Sequence, residues 1–207
     1  MKLVEKGLLI SKQFSKFKGF NMRLIFKESM VFSMNNLKIA TFIGREDINA
    51  QVYKIESFPI TNPLAVEMAQ KILEENEGDY LCGFISLIYN NMVIFGEEQI
   101  TKSLLDTWSS LSNILESRYD GSKEEIIFLD NYPYYYTTIQ EIDQFYEIQL
   151  DRNQRFFVPI EPFRNEVKRE FFAFMEFCKN LQFSEESSYR GLLETYDELL
   201  QLEDRKI

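Results

Sequence analysis

Glu166-Val167-Lys168 has the spacing with which some magnesium-dependent nucleases set a carboxylate and a lysine beside a scissile phosphate. Glu141 with Asp143, and Glu124 with Glu125, are the acidic pairs from which a glycosidase or a divalent-cation site is built. Ser15 and Lys18 match the SxxK pattern in which a lysine activates a serine nucleophile. Residues 130–138, DNYPYYYTT, suggest recognition and not reaction, because tyrosine offers a broad contact surface with a hydrogen-bonding tip.

Each pattern also has a plainer reading. In the nucleases the ExK motif lies on a strand, whereas Glu166 falls in a helical pattern and reads as an exposed helix face. The SDN and KTG companions of SxxK are missing. Acidic residues are so common, 33 in 207, that pairs arise by chance, and no sequence fixes two carboxylates at a required separation. In an alternating strand Tyr134 and Tyr136 share one face and Tyr135 takes the other, so the rings cannot form one platform. Ordinary strand filling with hydroxyls in water is then sufficient. A binding face, if built here, is Tyr134 and Tyr136 beside Asp130 and Glu141, an aromatic anchor with an acidic rim.

The chain has no histidine, which removes Ser-His and Cys-His nucleophile pairs and most zinc sites. None of the eight glycines is spaced for GxG or GxxxxGK, so phosphate-cradling loops are not expected. Cys82 and Cys178 stand far apart without a CxxC spacing and read as reduced, buried thiols. No cofactor and no metal are implied.

The formal charge of −10 is unevenly spread. Residues 1–38 hold Lys2, Lys6, Lys12, Lys16, Lys18, Arg23, Lys27 and Lys38 against Glu5 and Glu28, a balance of +6 that leaves −16 on the rest. Such a body repels nucleic acid and anionic membranes and attracts a basic partner, although plain solubility accounts for it too. Lys12, Lys16 and Lys18 interleave with Phe14, Phe17 and Phe20, compatible with phosphate contact plus base stacking, and equally with an amphipathic strand bearing a solvated lysine face. No apolar run reaches the roughly 20 residues that span a bilayer, and the N-terminus lacks the features of a signal peptide, so a cytoplasmic location is expected.

The elements that would hold these residues read as one α+β domain over 1–207, sheet-rich in 1–160 and helical in 161–207. It is mainly an antiparallel sheet with two helices inserted along the chain and a C-terminal helical hairpin packed against it. Strands are expected at 2–10, 22–26 and 51–58, with a hairpin over 30–43 turning at Asn35-Asn36. Asn62-Pro63 opens a helix that Gly78 follows. A second hairpin covers 80–95 with its turn at Asn90-Asn91. Ser103 and Asp106 have capping-box spacing before a helix closed by Gly121 and carrying the sole tryptophan, Trp108, toward the core. Three meander strands, 125–129, 134–139 and 145–150, and an extended RFFVPI precede two helices. The first begins at Glu161 with an apolar stripe of Phe163, Val167, Phe171, Phe174, Cys178 and Leu181; Phe172 and Phe177 fall off it, which calls for cover on two sides or a contact strip. The second is capped by Ser184 with Glu185 and Glu186 in its first turn.

Together these features point to a non-catalytic acidic module that binds a protein partner with a basic surface. In size and composition it is similar to immunity-type proteins that neutralise a toxin or another nucleic-acid-handling protein by masking its surface. Phage-encoded inhibitors of bacterial defence systems share that composition, and abundant Ile, Lys, Asn, Phe and Glu suit a low-GC bacterium or its phage. A carboxylate-based, divalent-metal hydrolase is the catalytic alternative.

Overall fold

The computed structural model describes residues 36–46, 55–116, 118–128, 137–150 and 153–204. The expected strands at 2–10 and 22–26, the first arm of the 30–43 hairpin, and Ser15 and Lys18 lie outside them. What is described has an α+β fold with two antiparallel four-stranded sheets in place of one.

The first sheet holds β1 (Leu37–Glu46), β2 (Ile55–Pro59), β3 (Gly83–Tyr89) and β4 (Met92–Phe95), in the order β2-β1-β3-β4. Alternation in β1 sends Ile39, Thr41 and Ile43 inward, opposite Leu87, Ile85 and Gly83 of β3. Asn90 and Asn91, at φ 50° and 64°, form the expected two-residue turn, because asparagine tolerates the left-handed backbone that the twist of a tight hairpin demands. Between β2 and β3 lies α1 (Pro63–Glu75). The Asn62 side chain accepts a hydrogen bond from the Leu64 amide at 3.0 Å, and Pro63 occupies the first turn, where its missing N–H has no cost.

After β4 comes α2 (Leu104–Ser112), extended by a single 3-10 turn, Asn113–Leu115. Two expectations fail here. The Ser103 hydroxyl donates to the Asp106 carboxylate and does not cap the helix backbone. Gly121, at φ +83°, lies in the loop before the next strand and does not close the helix.

The second sheet is a meander of β5 (Glu124–Ile126), β6 (Thr137–Ile142), β7 (Phe145–Leu150) and β8 (Gln154–Pro159). Strand β6 runs three residues past its expected end because the turn forms at Asp143-Gln144, with Asp143 at φ 57°. Then follow α3 (Ile160–Cys178) and α4 (Tyr189–Asp204). The stripe of α3 is buried as expected, and Trp108 is fully enclosed, its ring 5.7 Å from Phe171 and 5.6 Å from Phe174. Phe163 meets Tyr146 of the second sheet edge-on at 5.4 Å, so one continuous core runs through both sheets. Phe172 and Phe177 are explained by cover on two sides: Phe177 is buried, and Phe172 packs against Tyr196 of α4 at 5.1 Å.

Side chains from helices close two open strand edges. Beyond the reach of β2, the Thr41 amide donates to Glu170 Oε1 at 2.7 Å, and Arg169 Nη2 donates to the Ile39 carbonyl at 2.9 Å. Past the end of β5, the Ile127 amide donates to Ser110 Oγ at 3.0 Å, and Thr107 Oγ1 donates to the Ile127 carbonyl at 2.6 Å. Each arrangement supplies one acceptor and one donor, as a neighbouring strand would.

Candidate docking groove

Of the residues expected to form a binding face, Tyr134, Tyr136 and Asp130 lie outside the described residues. Glu141 sits on β6, on the side shared with the core residue Ile139. Its carboxylate accepts from the Tyr146 hydroxyl at 3.0 Å, lies 4.0 Å from Arg164 Nη1, and packs over Gly121, where a Cβ would come within 3.1 Å. Burial first, and neighbouring carboxylates second, push the Tyr119 phenol up to about 12; burial likewise raises the Tyr146 phenol, against the lowering pull of Arg164. Glu141 thus serves as an internal acceptor for a tyrosine layer at the end of the meander.

The other carboxylate patterns are also held apart. Glu124 and Glu125 are neighbours on β5 and point to opposite faces. Asp143 is in a turn. Glu166 pairs with Arg169 at 2.8 Å on α3, and the Lys168 ammonium stands 5.4 Å from the Phe172 ring centre. Glu147 is buried on β7 and receives hydrogen bonds from Gln140 Nε2 at 2.9 Å and Arg155 Nη1 at 3.1 Å. Among the described residues, no three His, Cys, Asp or Glu are grouped to hold a metal ion.

A hollow of about 320 Å³ lies beside the tyrosine layer, lined by residues that include Glu116, Arg118, Tyr119 and Glu124; two larger ones adjoin where the end of α1 meets the connector between α3 and α4. Their position follows from two local choices. Gly78 adopts φ +86°, and its amide closes α1 onto the Leu73 carbonyl at 2.8 Å. The Ser184 amide then donates to the Gly78 carbonyl at 3.0 Å, while Ser184 Oγ donates to Asp79 at 2.5 Å. Ser187 and Ser188 are engaged as well, with Ser187 Oγ donating to the Ser184 carbonyl at 2.8 Å and Ser188 Oγ donating to Asp106. Ser184 therefore does not cap the last helix, and Glu185 and Glu186 precede it; α4 begins at Tyr189.

Within the connector, Phe183 stacks on Tyr189 at 4.5 Å. On one side is a hollow of about 560 Å³ between α1 and the connector, lined by Gln70, Leu73, Glu74, Glu77 and Asn180 among others. On the other is one of about 760 Å³, which includes Leu181, Glu185, Tyr189, Arg190 and Leu193. Gln182, Phe183 and Ser184 border both. Among the described residues, Glu74, Glu77 and Glu185 have neither a hydrogen-bond partner nor an ion-pair partner, in contrast to Glu75, which is tied to Arg45 at 3.2 Å. The groove could not be read from spacing, because it joins residues 70–78 to residues 180–193. Only the expected glycine after α1 hinted at a special backbone there.

The chain matches no family model, no curated protein and no solved structure. No helix among the described residues is long and apolar enough to cross a membrane.

Proposed function

We propose that this chain is a non-catalytic acidic module that binds a protein partner and masks its basic surface. The observation that carries the reading is a pair of hollows sharing Gln182, Phe183 and Ser184, with a stacked aromatic pair and the exposed carboxylates of Glu74, Glu77 and Glu185 along them. Exposed carboxylates without an ion-pair partner are free to meet an incoming cation, each such pair contributing little by itself. The net charge of −10 adds long-range attraction that speeds encounter with a basic target. The biological form we favour is a cytoplasmic inhibitor or immunity-type protein that neutralises a toxin or another nucleic-acid-handling protein. A phage-encoded inhibitor of a bacterial defence system would use the same chemistry.

A metal-dependent hydrolase requires carboxylates converging on one point. Glu141, Glu147 and Glu170 instead serve Tyr146, Arg155 and Arg169 at separate places, which favours binding over catalysis. The test is to isolate the chain from its native host with whatever it holds, then to reconstitute the pair from pure components. A basic partner whose activity is blocked stoichiometrically, with affinity falling as salt rises, is expected. Metal-dependent hydrolysis by the pure chain, with no stable partner, would overturn the reading.

A further inference from the structure

We draw no further inference here: the strongest candidate, the apolar patch of Phe42, Phe84, Ile88 and Val93 on the face of the first sheet turned away from the core, where Phe42 and Phe84 stack at 4.7 Å, carries nothing because nothing in the structure shows what covers it.

Discussion

Thr41 carries two polar groups into the core of the first sheet, and the structure matches them unequally. Its amide finds Glu170, whereas among the described residues its hydroxyl has no hydrogen-bond partner. A buried, unmatched hydroxyl costs about 1–3 kcal/mol, so Thr41→Val, which keeps the shape and the amide bond, should raise stability by about 1 kcal/mol in urea unfolding. Glu170 is the opposite case. Glu170→Ala orphans the Thr41 amide and strips Arg169 of a buried ion-pair partner at 3.1 Å; a loss of about 3 kcal/mol is expected, with Glu170→Gln losing less because an acceptor remains. Nothing in the sequence marks Glu170 for this role. It is one more acid on a helix, and its partner is 129 positions away.

Among the elements, turn and cap chemistry was legible wherever it depends on neighbours in sequence. Asn62-Pro63 and Asn90-Asn91 behave as their backbone preferences dictate, and the α3 stripe is buried at the helical period. The start of α4 was not legible, because Ser184 has the chemistry of a cap and yet is engaged by Gly78 and Asp79, a competitor that spacing cannot reveal. Gly78 decides this contest. A Cβ there would lie 2.8 Å from the Ser184 amide nitrogen at a backbone φ of +86°. Gly78→Ala should therefore cost about 1–2 kcal/mol in thermal unfolding from the left-handed backbone alone, plus the displaced connector. It should also weaken any ligand of the groove, which titration of that ligand into wild type and variant would reveal.

Across the whole molecule, stability should fall at both ends of the pH scale for identifiable reasons. Tyr119 has its folded value raised from 10.0 to about 12, so its contribution is complete below the unfolded value and is lost as pH climbs from about 10 toward 12. Glu176, held below its ordinary 4.5 by hydrogen bonds from Lys179 and then Tyr196, contributes above 4.5 and loses that contribution as pH falls through its lowered value. Urea midpoints measured from pH 3 to pH 11.5 should trace both declines, and tyrosinate absorbance should show late-titrating phenols. The α+β class was visible because periodicity reports which faces are buried. The division into two sheets, and the groove between α1 and the connector, depend on pairings that alternation alone does not choose.

The closure of β1 by Arg169 and Glu170 bears on how the chain is made. A ribosome releases β1 more than a hundred residues before the helix that finishes its edge, so for that stretch of synthesis the Thr41 amide and the Ile39 carbonyl lack the partners that α3 brings. The C-terminal helices are in this sense a late-arriving guard. A chain ended at residue 159 should aggregate as it is synthesised, seen as light scattering in a cell-free reaction, while one ended after α3 should scatter much less. Productive folding should therefore depend on translation reaching α3 before a second nascent chain reaches the edge of β1.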